Sequence, residues 1–278
     1  MFCASIIYYL ILRKATINKI NYRFSNIANF SIPSILFLIL NLIQHNNLFP
    51  PLPLMGAMLL NAFFLSYIGA VVSYIAIQKA PNAGYSLIIQ KSYAVFTSIA
   101  AVFLFNSTLS PIKFIAILIT LASTAFVSIS RGKKVNRANY SWVVLSFIAF
   151  FLFGALRLTN KAIINGGVPS TVLLFWSQLF VALFSIIDYL IHRKTAIFQA
   201  TKDNLLTLLG VGVSVTFFYY FLLTSEVHAP NLGYVNVINS SSNAVYTVLV
   251  AWLFKDKLTK MKLIAVVTAI LGLILLII

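Results

Sequence analysis

Residues 80–85 read Ala-Pro-Asn-Ala-Gly-Tyr, and residues 229–234 read Ala-Pro-Asn-Leu-Gly-Tyr. The two hexamers are 149 residues apart, and the match continues without gaps at the same offset, so that Lys113 recurs as Lys262. Apolar coincidences are common in a chain of this composition, but shared Pro, Asn, Gly and Tyr in one hexamer are not. The sequence therefore predicts an internal duplication. Residues 149 positions apart are called repeat counterparts below.

The composition around this repeat excludes a soluble globular protein. Hydrophobic residues make up 61% of the 278 residues and charged residues only 9%, whereas soluble domains are close to half apolar and a quarter charged. Apolar runs of about 20 residues recur, and each is long enough to cross a bilayer core of roughly 30 Å as a helix. The single cysteine, Cys3, excludes an intrachain disulfide and a multi-cysteine metal site.

We predict an all-α integral membrane protein with ten transmembrane helices in two inverted five-helix repeats around a central cavity. The first repeat covers residues 1–130, a basic connecting loop covers 131–140, and the second repeat covers 141–278. Because each repeat has an odd number of spans, the two halves must lie in the membrane with opposite orientation, as in many secondary transporters. The predicted spans are 1–12, 24–43, 56–77, 83–105, 112–130, 141–160, 170–191, 205–224, 232–254 and 263–278.

The first predicted span is too short to cross a bilayer. The sixth span begins at residue 141, so its repeat counterpart would begin before Met1. The first helix is therefore expected to be truncated at its start or, alternatively, degenerate.

The net charge of +16 comes from 20 basic and 4 acidic residues. The basic residues lie mostly in short connections between apolar runs, which favours orientation of the helices and contact with anionic lipid over nucleic-acid binding. Sixteen lie in odd-numbered connections and two, Lys113 and Lys161, in even-numbered ones. The positive-inside rule therefore predicts cytoplasmic odd-numbered connections and an external C-terminus.

Several short motifs occur in the same order within the repeats: Arg23-Phe24, Val95-Phe96, Gly154 followed by Lys161, and Lys255-Asp256-Lys257-Leu258-Thr259. They resemble the RF, EPVF, WGSNFVAIK and GERLS patterns of the EamA-type branch of the drug/metabolite transporter superfamily. The chain departs from the family's Glu-Pro, where it has Tyr93-Ala94 and Ser242-Asn243. The resemblance implies a ten-helix transporter in a bacterial inner (plasma) membrane, with both termini in the cytoplasm.

Polar residues cluster in the fourth and ninth spans. Ser86, Gln90, Tyr93 and Thr97 share one helical face. We interpret the two helices as facing each other and lining a substrate cavity; the alternative is helix–helix hydrogen bonding, which also favours such residues. The candidate substrate-binding residues are Gln90, Lys91, Tyr93, Thr97, Arg157, Asn236, Asn239, Ser242, Asn243 and Tyr246.

Two of these candidates are basic residues inside predicted spans. Lys91 is predicted to lie near the bilayer midplane, roughly 14 Å from the helix start. It binds a substrate carboxylate or phosphate in one interpretation, and reaches the interface or backbone carbonyls in the other. Arg157 is a second candidate, with an interfacial anchor as its alternative.

The four acids are scattered. Asp188, Asp203 and Asp256 are predicted in loops or at span ends, and Glu226 in the short turn before the ninth span. Exchange of protons for cationic solutes would need a central carboxylate, so cationic substrates are disfavoured. An enzyme would need clustered acids or a nucleophile–base pair, so we expect no catalytic residues, cofactor or metal.

The sequence thus predicts a secondary transporter of small, amino-acid-like or other neutral or zwitterionic metabolites, working by alternating access. The alternative is an exchanger of anionic phosphorylated metabolites or nucleotide sugars, with Lys91 and Arg157 as the clamp. The expected partners are a small-molecule substrate and membrane lipid, not nucleic acid. Monomer and homodimer both remain open.

Overall fold

The computed structural model describes residues 1–80, 86, 89–128, 141–192, 200–253 and 260–277. These residues form helices and short connections, and none of them belongs to a strand. The helices are α1 (Phe2–Ile17), α2 (Tyr22–Ile43), α3 (Leu52–Leu60), α4 (Ile68–Lys79), α5 (Tyr93–Phe105), α6 (Pro111–Ser128), α7 (Ser141–Asn165), α8 (Ser170–Ile191), α9 (Lys202–His228), α10 (Leu232–Leu253) and α11 (Lys260–Ile277).

The third span differs from the prediction in two ways. A π-helical segment, Asn61–Tyr67, joins α3 to α4, and the sequence pattern did not predict it. The span also begins at Leu52, so Leu52 and Pro53 lie in the first turn of α3 and not in a loop. Proline fits there because the first amide groups of a helix have no intrahelical acceptor.

Several helices are long and apolar enough to cross a membrane. Among the described residues there are five, covering 22–43, 52–77, 141–165, 170–191 and 202–228. Shorter apolar helices cover Ile89–Phe105, Pro111–Ser123 and Val266–Leu275. Each predicted span that the structure describes thus contains helix.

The chain divides into two compact units, and each draws helices from both halves of the sequence. Unit 1 comprises Met1–Tyr67 and Thr159–Val227, and unit 2 comprises Ile68–Leu158 and His228–Ile278. Each unit therefore contains residues from both of the predicted repeats, 1–130 and 141–278.

In unit 1, α2 and α8 are repeat counterparts that pack along most of their length. At one end, Arg23 Nε donates to Asp188 Oδ2 at 2.9 Å. Near the other end, Thr171 Oγ1 donates to Asn41 Oδ1 at 2.7 Å. Since Arg23 begins α2 and Asp188 is near the end of α8, the two helices are antiparallel.

A second feature of unit 1 is that one contact occurs twice at the repeat offset. A Cβ on Gly210 would lie 3.3 Å from Ile11 Cγ2, which places α1 against α9. Asn61 Nδ2 donates to Asn160 Oδ1 at 2.7 Å, which places the π-helical segment against α7. Asn160 is 149 residues after Ile11, and Gly210 is 149 residues after Asn61. Packing within the unit therefore follows the repeat.

In unit 2, the counterparts α6 and α11 pack closely through small residues. Ala116, Thr120 and Ala269 are buried, and a Cβ on Gly272 would lie 3.2 Å from the backbone nitrogen of Thr120. Small side chains allow the close backbone approach on which helix association in lipid depends.

Candidate substrate site in unit 2

The helix pair α5 and α10 in unit 2 contains most of the predicted site residues. Leu232, at the start of α10, shares an apolar cluster with Ala101. Further along α10, Asn236 Nδ2 donates to Thr97 Oγ1 at 3.1 Å, and Val237 shares a cluster with Ala94. Advancing along α10 therefore means going back along α5, so these two helices are antiparallel at their contact.

The second hexamer of the repeat fixes this contact. Asn231 caps α10 by accepting from the amide of Gly233 at 2.8 Å, and its Nδ2 donates to the carbonyl of Ser98 at 3.1 Å. Gly233 itself lies against Ser98, where a Cβ would be 2.9 Å from Ser98 Cα. Tyr234 Oη donates to the carbonyl of Thr108 at 3.0 Å. The Asn, Gly and Tyr shared by the hexamers thus serve packing at this position; residues 81–85 of the first hexamer lie outside the described residues.

Gln90 bonds to neighbouring side chains through both ends of its amide. Ser73 Oγ donates to Gln90 Oε1 at 2.6 Å, and Gln90 Nε2 donates to Ser86 Oγ at 2.8 Å. Ser86 Oγ is also 2.7 Å from Ser146 Oγ. This network joins α4, the fourth span and α7, which is what the helix–helix alternative predicts for Gln90. A solute at Gln90 would have to displace these bonds.

The interior of α10 is different, because two of its amides keep an open acceptor. Asn236 and Asn239 are almost fully buried, and among the described residues no donor bonds to the Oδ1 atom of either. They are three positions apart and therefore on one helical face. An amide oxygen without a partner is costly to bury, so these oxygens suit a ligand that brings hydrogen-bond donors.

The serines that follow Asn239 are satisfied within their own helix. Ser240 Oγ donates to the carbonyl of Asn236 at 2.8 Å, and Ser242 Oγ donates to the carbonyl of Asn239 at 2.6 Å. Such local bonds are common for serine in helices. Tyr246 is half-buried one turn further on, and the side chain of Asn243 lies outside the described residues.

Lys91 and Arg157 supply positive charge in the same unit. Of the 20 basic residues, 18 lie in the predicted connections between spans, and Lys91 and Arg157 are the other two. The two cations interact electrostatically with each other, and Tyr93, which also interacts with Lys91, is buried. The part of unit 2 that the structure describes contains no Asp or Glu. Two like charges in one low-dielectric region favour binding of an anion.

Glu226 was predicted in a turn, but it lies in the last turn of α9 and is 1% exposed. The Lys161 ammonium interacts electrostatically with it and donates to the carbonyls of Glu226 and Val227, both at 2.9 Å. Lys161 therefore caps the C-terminal end of α9, where the helix dipole favours a cation.

Sequence reasoning missed a pair of buried amides in unit 1. Asn29 on α2 and Gln178 on α8 are both 7% exposed, and within the described residues their side-chain carbonyl oxygens accept no hydrogen bond. They are repeat counterparts, since 178 is 149 residues after 29. Comparison of polar residues at the repeat offset would have found them.

The motifs that resemble a known family have clear packing roles. Gly154 of α7 lies against Phe96 of α5, where a Cβ would be 2.5 Å from the ring. Phe24 packs against Tyr189 beside the Arg23–Asp188 pair, with 5.1 Å between the two ring centroids. Residues 254–259, which include the GERLS-like stretch, lie outside the described residues.

The long apolar helices indicate an integral membrane protein. The sequence model of the EamA-like transporter family matches residues 140–278, so the chain belongs to that family of membrane transporters. The match begins one residue before the predicted second repeat.

Similarity in fold extends further than similarity in sequence. The crystal structure of another protein superposes on this chain with a TM-score of 0.81 at 13% sequence identity. The superposition covers 99% of this chain and 95% of the other protein's chain. At this identity the likeness concerns the fold alone. No curated protein matches the sequence.

Proposed function

We propose that the protein is a secondary transporter of small amino-acid-like metabolites in a bacterial inner membrane. Two inverted five-helix repeats, residues 1–130 and 141–278, would rock around a central site to give alternating access. The observation that carries the proposal is the contact of α5 with α10, two antiparallel repeat counterparts with buried amides in their interior.

Antiparallel counterparts support the inverted arrangement. A repeat inverted about an axis in the membrane plane makes each pair of counterpart helices run in opposite directions. The pair α2 and α8 in unit 1 does so, and so does the pair α5 and α10 in unit 2. Repeats related by an axis along the membrane normal would give parallel counterparts.

The chemistry of the site favours a zwitterion. Lys91 and Arg157 offer positive charge to a carboxylate. Asn236 Oδ1 and Asn239 Oδ1 offer acceptors to an ammonium group. An amino-acid-like solute presents both groups, whereas a cationic solute would be repelled by the two basic residues.

Counterflow in proteoliposomes tests the proposal. Vesicles loaded with an unlabelled amino-acid mixture should take up labelled amino acids, and Lys91→Gln or Asn239→Ala should lower the initial rate at least tenfold. Lys113→Gln is the matched control, because Lys113 is a basic residue of unit 2 whose ammonium lies over the ring of Tyr234. Wild-type rates in both site variants would contradict the proposed site, and no uptake by the wild-type protein would contradict the substrate class.

A second candidate is exchange of anionic phosphorylated metabolites. The presence of two basic residues that interact electrostatically, in a unit whose described residues include no Asp or Glu, favours it. The same vesicles loaded with sugar phosphates distinguish the two candidates, since a phosphate exchanger should leave labelled amino acids outside.

A further inference from the structure

Unit 1 contains a groove that the proposed transport site does not use. Its volume is about 480 Å³, within the range of ligand-binding pockets. The walls come from α3, the π-helical segment and α7, and seven of the nine lining residues are apolar. Leu54, Ala57 and Phe64 belong to one wall, and Ile163 belongs to the other.

The groove is open along its side. Leu60 and Phe64 line it and are 58% and 51% exposed. These residues belong to a helical span that is long and apolar enough to cross a membrane. In a bilayer, exposed apolar side chains on such a span are suited to contact with hydrocarbon.

The length of the groove matches one leaflet of a membrane. Its lining begins at Leu54, the third residue of α3, and reaches Leu65 in the π-helical segment. The eleven helical steps from Leu54 to Leu65 rise about 16 Å, close to half of the roughly 30 Å hydrocarbon core. The groove thus extends from the end of the span to about mid-membrane.

The two polar residues in the lining are Asn61 and Thr159, and their side chains are bonded to protein. Thr159 Oγ1 donates to Asn61 Oδ1 at 2.7 Å, and Asn61 Nδ2 donates to Asn160 Oδ1 at 2.7 Å. A polar solute would have to break these bonds to gain its own. The groove therefore offers packing surface and little recognition of polar groups.

We propose that this groove holds one acyl chain of a membrane phospholipid. A gap of this size forfeits dispersion contacts along both walls if it stays empty, and a hydrocarbon chain restores them. Lipid chains are the apolar molecules at hand wherever the side of the groove opens. Because the lining carries no charged side chain, binding depends on the chain and not on the headgroup.

Native mass spectrometry of the full-length protein tests this proposal. After delipidation, the protein is titrated with phosphatidylethanolamine and phosphatidylglycerol that carry identical 16-carbon chains. We expect one lipid to be retained at energies that strip the others, with less than a threefold difference in affinity between the headgroups. A larger headgroup preference would overturn recognition through the chain.

Two neighbouring substitutions supply the matched comparison. Ala57→Trp places an indole in the groove, whereas Gly56→Trp places it where a Cβ meets no atom within 4 Å. We expect Ala57→Trp to lose the retained lipid and Gly56→Trp to keep it. Ala57→Leu fills less of the groove, so it should weaken retention of the lipid without abolishing it. This variant keeps the test valid if Ala57→Trp does not fold. Equal retention in all variants would refute the proposal.

Discussion

Two helix pairs, α2 with α8 in unit 1 and α5 with α10 in unit 2, join repeat counterparts in antiparallel fashion, but they place their polar residues differently. In the first pair, hydrogen bonds tie the two ends, Arg23 to Asp188 and Asn41 to Thr171. In the second pair, polar residues fill the interior of α10, from Asn236 to Ser242.

The two pairs therefore differ in the role of their polar groups. Those at the ends of the first pair bond one helix to the other, whereas two amides inside α10 have an acceptor oxygen that a ligand could bind. The bonds at the ends of the first pair satisfy the side chains that make them, so these polar groups cost little. Amides in the interior are expensive in hydrocarbon and are retained where they serve function. The buried counterparts Asn29 and Gln178 show that the first pair also has interior amides, although the buried polar residues of α2 and α8 are more widely spaced than those of α10.

The largest effect is expected from Gly233→Leu, which attacks the contact of α10 with α5. The new side chain would overlap Ser98, whose backbone Cα cannot move without shifting α5. Overpacking at a backbone contact should cost about 3 kcal/mol in the free energy of unfolding. Thermal unfolding in detergent micelles measures it.

Gly56→Leu is the control for this experiment, because a Cβ at Gly56 meets open space. Replacing a helical glycine there should stabilise the protein by about 0.5–1 kcal/mol. Similar losses in both variants would mean that the α5–α10 contact has no special importance.

A middle-sized effect should separate the two helix pairs directly. Asn41→Ala removes a buried amide that bonds to Thr171, so stability should fall by about 1–3 kcal/mol while transport per folded molecule is kept. Asn239→Ala removes an amide whose carbonyl oxygen has no donor among the described residues. It should leave stability within about 1 kcal/mol of wild type and abolish most transport.

Unfolding in micelles and counterflow in vesicles, measured on the same two preparations, check this prediction. The prediction is wrong if Asn41→Ala lowers the transport rate as much as Asn239→Ala does. It is also wrong if Asn239→Ala lowers the free energy of unfolding as much as Asn41→Ala does.

The smallest effect is expected at the end of the first pair. Arg23 and Asp188 form an ion pair at 2.9 Å, with side chains 13% and 24% exposed. A double-mutant cycle with Arg23→Gln and Asp188→Asn should give a coupling energy of about 1 kcal/mol or less, falling with added salt. A coupling several times larger would make this end a fixed clamp and not a modest tie.

Much of the architecture was predictable, because lipid leaves a chain few choices. Backbone groups must be bonded internally in a bilayer, so apolar runs of sufficient length become helices. The predicted spans 170–191 and 232–254 agree with α8 and α10 almost to the residue. The π-helical segment at Asn61 escaped prediction because it changes the local winding of a helix without changing its apolar pattern.

The candidate site was predictable only in part. The sequence showed that the ninth span is polar, and the offset of 149 residues related it to the fourth span. The structure adds that Asn236 of α10 donates a hydrogen bond to Thr97 of α5. Helical periodicity predicted Gln90 and Asn239 equally as substrate-binding residues. In the structure, Gln90 is hydrogen-bonded at both ends of its amide, whereas the Asn239 side-chain oxygen accepts no hydrogen bond from the described residues. Which polar group has a partner depends on other helices, and no local pattern contains that information.

The sequence by itself determined that this is a helical membrane protein and predicted an internal duplication, because hydrophobicity and the repeated hexamer are properties of the chain alone. Only the tertiary structure decided which polar atoms are satisfied, where the groove beside Ala57 opens, and that Glu226 is buried in α9. These features arise from the packing of residues that are distant in sequence, and close packing depends on shape at a scale that composition and periodicity do not record.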